Sequence, residues 1–391
     1  MARESADLFS RYRVIDIDTH VTEPADVWQG RVAAKWGDRV PHIQRVGDID
    51  LWMIGDQPIG MPGAYSAAGH EGTFPDFRKT YEEIPNSMYE AKARIDFLDA
   101  EGIAACVLYP NVGGFGMGGF LKMGDPELMP ECVRAYNDWL LDWCLADPQR
   151  LIGVMATPFW CLAASVTEIQ RCASLGYSAV LMCNQPQDHG QPLLRDRHWD
   201  PIWSAAEEAG MSISFHVGGG DLSDVVDDTA GIGAKSNFAR ASAMAFLDNG
   251  RCLADIILGG IPHRFPKLKM VSVESGVSWL PFVIEALDWQ WKNNGVRHEH
   301  PDYDLLPSEY FRRQIYGSFW FEKAGIATAL EMFPDNILFE TDYPHPTCQA
   351  PGPASAGTHP RLYAEGALAG ISEQIVGKVL HDTAADLYGL E

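Results

Sequence analysis

The stretch SMYEAKARIDFLDAEGIAACVLYP, residues 87–110, contains a complete helix-to-strand unit. Ser87 and Glu90 have the spacing of a helix-capping box, and apolar residues then recur at helical spacing up to Leu98. Gly102 stands where a helix commonly ends, and the apolar run that follows it, residues 103–109, has the composition of a buried strand. The stretch therefore predicts a helix that leads directly into a strand.

The same pattern recurs along the chain without any repeated sequence. Helices are predicted over residues 127–145, 163–175, 200–210, 241–258, 279–291 and 325–332. Strands are predicted over residues 14–18, 103–109, 151–155, 178–183, 211–216, 268–273, 314–321 and 336–339. Eight apolar strands separated by helices favour an α/β protein with a parallel sheet, and eight strands close a (β/α)8 TIM barrel. An open doubly wound sheet is the alternative, but neither G-x-G-x-x-G after the first strand nor a Walker A sequence is present.

Only one segment departs from this alternation. Residues 48–77 are rich in Gly, Pro and small side chains, which indicates an N-terminal insertion over the active-site end of the barrel. The glycine-rich stretch 113–119 is predicted to be a mobile loop after the second strand. We therefore expect residues 1–391 to form a single domain.

The charge and composition exclude several classes of function. The 391 residues include 53 acidic and 30 basic side chains, a net charge of −23, which would repel nucleic acid and anionic membranes. No apolar run approaches the ~20 residues that span a bilayer, and the first residues lack the apolar stretch of a signal peptide. The eight cysteines are scattered singly, which is typical of reduced core residues. These features predict a soluble, cytoplasmic protein that acts on a small molecule.

The first predicted strand ends in Asp16-Ile17-Asp18-Thr19-His20. Strict alternation would put Asp16, Asp18 and His20 on one face of the strand. A carboxylate and an imidazole two residues apart at the C-terminal end of a barrel strand are able to bind one cation. A surface aspartate followed by a capping histidine would give the same pattern, so this motif alone leaves both interpretations open.

Three further polar residues end apolar strands. His216 closes the fifth strand before a run of glycines, Glu274 ends the sixth, and Asp342 ends the eighth. A buried carboxylate is costly unless it is paired, hydrogen-bonded or bound to a metal. Five such groups at matching strand ends predict a metal site formed by Asp18, His20, His216, Glu274 and Asp342.

Several motifs in order resemble one known family. They are RAYNDWLLDWCLADPQRL at 134–151, RHWDPIWSAAEEAG at 197–210, RFPKLKMVSVESG at 264–276, ESGVSWLPF at 274–282 and TDYPHP at 341–346. Together with the D-x-H of the first strand, these resemble the amidohydrolase superfamily, in its branch of amidohydrolase-2 or aminocarboxymuconate-semialdehyde-decarboxylase-like proteins. The resemblance implies a metal-dependent hydrolase or non-oxidative decarboxylase on a TIM barrel, with metal ligation by Asp18, His20, His216 and Asp342.

Two positions differ from the pattern of the family. Decarboxylases of this branch usually have a histidine at the end of strand six, where this chain has Glu274. Members that bind two metals often have a carboxylated lysine on strand four, and no lysine occurs there in this chain. The acid–base histidine is then missing, and Glu274 is able to supply a carboxylate in place of the lysine. The resulting oxygen-rich donor set suits one or two divalent ions of Zn, Fe or Mn.

Two other features concern catalysis and substrate. Asp342 is placed to accept a proton, and His345 is predicted to be an additional ligand or a proton donor. Most of the remaining histidines, including His189, are expected to be solvated or capping, while His70 in the insertion is a candidate lid residue. A roomy apolar pocket for a ring-containing organic acid is predicted from the side chains Phe115, Met117, Phe120, Met123, Phe159 and Trp160.

Three functions remain open from the sequence. The first is hydrolysis or non-oxidative decarboxylation of a ring-containing organic acid, or a derivative of one, through a metal-bound water or carboxylate. The second is a dinuclear non-heme iron oxygenase that hydroxylates a bulky apolar substrate on the same barrel, an alternative that the Glu274 departure keeps open. The third is a metal-dependent binding protein without catalysis. The Trp-rich helix 279–291 would provide an apolar surface for a homodimer.

Overall fold

Eight parallel strands form a barrel in a computed structural model that describes residues 7–72, 75–221, 230–346, 348–349 and 358–390. The third strand is interrupted, and its two pieces pair with different neighbours. The strands are β1 Val14–His20, β2 Ile103–Tyr109, β3 Leu151–Gly153 and Met155–Ala156, β4 Ala179–Leu181, β5 Ser212–His216, β6 Met270–Val273, β7 Ile315–Phe319 and β8 Ile337–Phe339.

Each strand pairs in parallel with the next one along the chain, from β1 to β8. The barrel closes where Thr19 of β1 forms a parallel bridge with Tyr343, which follows β8. The amide of Asp342 donates to the carbonyl of Asp18 at 3.0 Å, and that of His20 to Tyr343 at 2.6 Å. The prediction of a TIM barrel is confirmed, and its closure joins the two segments that contain Asp18 and Asp342.

Helices follow the strands and cover the outside of the barrel. The helices are α1 Leu8–Arg11, α2 Ala91–Glu101, α3 Leu128–Cys144, α4 Leu162–Ser174, α5 Asp200–Ala209, α6 Ala234–Leu258, α7 Ile261–Arg264, α8 Leu280–Asn293, α9 Val296–Glu299, α10 Pro307–Gln314, α11 Ile326–Met332, α12 Pro360–Ala367, α13 Glu373–Gly377 and α14 Thr383–Tyr388. A π turn, Lys378–Asp382, joins α13 to α14. The predicted helices are present, although α6 begins seven residues before the predicted residue 241.

The capping box predicted at Ser87 and Glu90 is wrong. Helix α2 begins only at Ala91, and its N-cap residue Glu90 makes no side-chain capping hydrogen bond. The Ser87 hydroxyl lies instead 2.9 Å from the hydroxyl of Tyr343, so a tertiary contact takes the group that would cap the helix. The C-terminal signal is confirmed, because Gly102 has a φ of 71° and ends the helix in the left-handed conformation.

A three-stranded antiparallel sheet lies between β1 and α2, with strands Pro41–Val46, Ile49–Ile54 and Gln57–Gly60. It begins seven residues before the predicted boundary at residue 48, and positions 73 and 74 of that segment lie outside the described residues. The two-residue turns Gly47-Asp48 and Gly55-Asp56 join the strands, and both glycines have positive φ.

The core has three clusters, of which the smallest packs Ala68, Ile84 and Met88 against Tyr343 and Cys348. The largest cluster packs the outer faces of the strands against the helices. The second joins residues of β1, β2, β3, β4, β6 and β8 to Ala384, Ala385 and Tyr388 of α14. Tyr388 lies beside the first residues of β3, so α14 covers the N-terminal end of the barrel. The C-terminal ends of the strands are therefore left for the functional site.

The structure bears on the expectations that the cysteines lie in the core and that no segment spans a membrane. Seven of the eight cysteines are buried and Cys161 is exposed. Within the described residues, no helix combines the length and apolar character needed to cross a membrane.

The packing of α3 predicts the cost of opening a cavity. Leu140 is fully buried, whereas Leu145, at the end of the same helix, is 63% exposed. Leu140→Ala should lower the free energy of unfolding by about 2–5 kcal/mol, because it removes buried methyl groups and leaves a void. Leu145→Ala should change the same quantity by less than about 0.5 kcal/mol. Urea unfolding followed by circular dichroism measures both, and equal losses would contradict the packing described here.

Candidate metal centre

The five predicted ligands all lie at the C-terminal end of the barrel. Asp18 and His20 are in the last part of β1, and His216 is the last residue of β5. Glu274 directly follows β6, and Asp342 lies three residues after β8. Because parallel strands end at the same rim, these side chains converge although they are far apart in sequence.

The distances between their donor atoms are short. His20 Nε2 lies 3.2 Å from His216 Nε2, 3.5 Å from Asp18 Oδ1 and 3.4 Å from Asp342 Oδ1. His216 Nε2 also lies 3.5 Å from Asp18 Oδ1, and Glu274 Oε2 is 3.5 Å from the other ring nitrogen of His216. Three sets of donors lie within 4.8 Å of one another: Asp18, His20 and His216; His20, Asp342 and His345; and Asp18, Glu274 and Asp342.

The hydrogen bonds of the two imidazoles fix which nitrogen is free. His20 Nδ1 lies 3.2 Å from the carbonyl oxygen of Pro110, and His216 Nδ1 lies 2.8 Å from that of Val217. A carbonyl oxygen only accepts, so each Nδ1 must carry the hydrogen and each neutral ring presents an Nε2 lone pair. Two lone pairs that face each other at 3.2 Å repel unless a proton or a cation lies between them. The arrangement fits two metal-binding imidazoles.

Two carboxylates of the cluster lack hydrogen-bond donors among the described residues. Asp18 and Asp342 are both fully buried, and neither oxygen of either group has a hydrogen-bond partner in the described structure. Burial of a carboxylate without a donor is costly, and the cost is met either by a proton or by a bound cation. Two orphaned carboxylates and two facing imidazoles therefore fit a divalent metal ion.

Backbone strain coincides with this site. Among the described residues, only three other than glycine have positive φ, and two of them are Glu274 at 56° and Asp342 at 59°. Residues with a Cβ rarely adopt this conformation, which persists where the surrounding structure imposes it. The strained turns after β6 and β8 aim both carboxylates into the cluster, where Glu274 keeps 15% of its side chain exposed.

The electrostatics of the cluster favour proton uptake when no cation is bound. Burial, together with nearby acidic groups, raises the pKa of Asp342, and burial also raises that of Asp18. Burial raises the pKa of Glu274 to about 7. Burial lowers the pKa of His216, but the Asp18 and Glu274 charges outweigh it and raise the value to about 9. Burial lowers the pKa of His20, so that ring is neutral.

His345 lies at the edge of the cluster. Its Nδ1 is 2.9 Å from Asp342 Oδ1, and its ring stacks on that of His20 with centroids 3.6 Å apart. Its Nε2 lies 2.7 Å from Asn111 Oδ1, and the Asn111 amide is oriented by donating to Val21 at 2.9 Å. Nε2 is therefore the donor to Asn111, and Nδ1 faces the carboxylate, where it is able to exchange a proton with Asp342.

Two buried polar residues that sequence reasoning missed support these side chains. The Glu23 carboxylate accepts from the amides of Asn111 and Val112, at 2.8 and 3.0 Å, and thereby holds the loop that positions His345. Burial raises the pKa of Glu23 to about 8. The Arg94 guanidinium donates to the carbonyl of His20 at 2.7 Å and fixes the end of β1. Nothing in the sequence near either residue indicates these roles.

Simple alternation along β1 is wrong. The pairing of β1 with β2 shifts register between Asp16 and Thr19. The Asp16 carboxylate accepts from the Thr341 amide at 3.0 Å and from its hydroxyl at 2.6 Å, so Asp16 is a structural link. Asp18 and His20 converge as their spacing of two residues predicted, whereas Asp16 is held at Thr341 outside the cluster.

A cavity of about 850 Å³ lies next to the cluster. Its walls come from the antiparallel sheet, from the loops after β2, β4 and β5, and from Tyr65. His189, which was expected to be only solvated or capping, lies in the wall of this cavity. All six residues predicted to line a pocket lie in the described part of the chain, and among them only Phe115 lines this cavity. Met117, Phe120 and Phe159 are fully buried, since they pack beneath the loops rather than in the cavity wall.

Comparisons with known proteins agree with this architecture. A family model described as Amidohydrolase matches residues 92–390. The chain is 22% identical over 280 residues to 2-amino-3-carboxymuconate-6-semialdehyde decarboxylase of Dictyostelium discoideum, which covers 68% of this chain and 70% of that protein.

Two solved structures share the fold. An amidohydrolase from Mycobacterium avium subsp. paratuberculosis has a TM-score of 0.76 and 24% identity over 97% of this chain and 99% of its own. A 5-carboxyvanillate decarboxylase from Novosphingobium aromaticivorans, in complex with manganese and 4-hydroxy-3-methoxy-5-nitrobenzoic acid, has a TM-score of 0.65 and 19% identity over 97% and 96% of the two chains.

This chain belongs to the amidohydrolase family, as its motifs predicted. It is a metal-dependent enzyme of the hydrolase and decarboxylase class. None of these relatives is an oxygenase, so the comparisons give no support to the diiron alternative. The family match begins after β1, so it does not include Asp18 and His20. The assignment of these two residues to a metal site therefore rests on the geometry of the cluster.

Metal binding should release protons. At pH 7 the metal-free cluster holds at least one proton, because the neighbouring carboxylates Asp18 and Glu274 raise the pKa of His216 to about 9. A cation displaces that proton, so Mn²⁺ binding should release about one proton or more per ion, and affinity should rise between pH 5 and 8. Calorimetric titration in two buffers of different ionisation enthalpy measures the release. Binding without proton release would show that the ion lies elsewhere.

Proposed function

We propose that Asp18, His20, His216 and Asp342 bind a divalent metal ion, and that Glu274 is a further ligand. The two facing Nε2 atoms, 3.2 Å apart, are the observation that carries this proposal. Three carboxylates and two imidazoles provide enough donors for one or two ions. Zn, Fe and Mn all accept such a set, and the manganese in the carboxyvanillate decarboxylase favours Mn among them.

The reaction that this site supports best is non-oxidative decarboxylation of an aromatic carboxylic acid. A bound divalent ion would polarise and orient the carboxylate of the substrate. Decarboxylation breaks the bond between the ring and the carboxyl carbon, and the ring carbon takes up a proton as CO₂ leaves. We assign the proton to the pair formed by Asp342 and His345, whose facing atoms are 2.9 Å apart.

The shape and lining of the cavity support a planar, ring-containing substrate. Trp52, Tyr65 and Phe115 contribute aromatic surface, and the glycine loops 113–119 and 218–220 present flat backbone. A volume of about 850 Å³ accommodates a substituted benzene ring with space to spare. The bound nitrobenzoic acid and the name of the carboxyvanillate decarboxylase favour the same class of ligand.

The organisation of the chain fits a single catalytic unit. We propose that residues 1–391 form one domain and that the segment of residues 48–77 is an insertion over the active-site end, since Trp52, Ile59 and Tyr65 line the cavity. The side chains of Phe282 and Trp289 are 76% and 66% exposed on α8, which supports the predicted homodimer. A net charge of −23 supports a small-molecule substrate without nucleic-acid or membrane partners, and a cytoplasmic location stays a prediction.

The proposed reaction is tested with a panel of hydroxylated and methoxylated benzoic acids. The Mn²⁺-loaded protein should release CO₂ from at least one of them, and both chelation and Asp18→Ala should abolish the release. Amides and esters of the same acids serve as the comparison. Turnover of amides or esters with no CO₂ from any acid would place the chain among the hydrolases instead.

Glu274 provides a separate prediction about the metal. Glu274→Gln removes a negative charge from the donor group Asp18, Glu274 and Asp342, so Mn²⁺ affinity should fall about 10-fold or more. The control, Glu331→Gln, changes an exposed glutamate on α11 and should leave the affinity unchanged. Equilibrium titration gives both the affinity and the number of ions per chain. Equal affinity in Glu274→Gln and the natural chain would remove Glu274 from the ligands.

A further inference from the structure

Phe115 lies between the cavity and the candidate metal centre. Its ring centroid is 4.6 Å from that of His216, 5.2 Å from that of His20 and 5.4 Å from that of His345. Its other surface lines the cavity, while Asp18 and Asp342 are fully buried behind it. A molecule in the cavity therefore meets the Phe115 ring before it meets the imidazoles.

The loop that contains Phe115 is closely packed at Gly113 and Gly116, whereas a Cβ at Gly114 would meet no atom within 4 Å. A Cβ at Gly116 would lie 2.9 Å from the Cα of Cys183, and one at Gly113 would lie 2.9 Å from the sulfur of Met117. The Gly119 amide donates to the Gly113 carbonyl at 2.8 Å and closes the loop on itself. Movement of the whole loop would break these contacts, whereas rotation of the Phe115 side chain into the adjacent cavity would not. The Phe115 side chain is thus the part of this loop that is able to move away from the imidazoles.

We propose that Phe115 is a specificity-determining residue, which turns aside for a planar aromatic carboxylate whose ring then takes its place against the imidazoles. The inference rests on the proposed function, because it requires a metal ion at the histidine cluster. Its physical basis is contact between rings: the Phe115 ring, which lines the cavity and lies beside His20 and His216, stays next to the bound ring after it turns aside. A saturated ring of similar size is thicker and lacks the π surface, so it gains less from that contact.

The test compares benzoate with cyclohexanecarboxylate, which have the same charge and nearly the same size. Binding of each to the Mn²⁺-loaded protein is followed by the proton relaxation rate of water at the ion, which needs no turnover. The natural chain should bind benzoate more tightly, and Phe115→Ala should reduce that preference about 5-fold or more. Leu121→Ala is the matched control, because Leu121 lines the same cavity and should leave the preference within about 2-fold of the natural value.

The outcomes separate this inference from the proposed function. If the natural chain binds Mn²⁺ but Phe115→Ala keeps the same preference, the specificity role is wrong and the metal centre stands. If the natural chain binds no Mn²⁺, both fall. Phe115→Leu keeps the apolar volume without the flat ring, so it should also lose the preference while protecting the fold, and an unchanged ratio in a folded Phe115→Leu would equally overturn the proposal.

Discussion

The structure depends on one electrostatic constraint: buried carboxylates and imidazole nitrogens face one another at the rim of the barrel. Among the described residues, none donates a hydrogen bond to the carboxylates of Asp18 and Asp342, and the Nε2 atoms of His20 and His216 are 3.2 Å apart. Each group alone would be unfavourable inside a protein. A divalent cation satisfies all four at once, which explains why a fold would keep such a cluster at the rim of its barrel.

The surrounding structure holds these groups in place against their mutual repulsion. The Nδ1 atoms of both imidazoles donate to backbone carbonyls, and Arg94 fixes the carbonyl of His20. Asp16 ties β1 to Thr341, directly before Asp342. The left-handed turn at Asp342 is therefore imposed by the closure of the barrel, and the geometry of the site and the stability of the fold depend on the same contacts.

Much of this was predictable from local patterns. Eight apolar runs predicted the barrel, and the polar residues that end four of them predicted the convergence of Asp18, His20, His216, Glu274 and Asp342, since parallel strands share one rim. The antiparallel sheet was missed, although Gly47-Asp48 and Gly55-Asp56 repeat a two-residue turn signal. The roles of Glu23, Asn111 and Arg94 arise from contacts between distant segments, and no local sequence pattern encodes such contacts. The same is true of the register shift that separates Asp16 from the cluster.

The most direct measurement of the central claim is the anomalous X-ray scattering of crystals grown with Mn²⁺, recorded on both sides of the manganese absorption edge. The account predicts an anomalous peak among His20 Nε2, His216 Nε2 and the Asp18 and Asp342 carboxylates, at bonding distance from each. A well-ordered cluster with no anomalous peak, or manganese bound only at a different site, would contradict it.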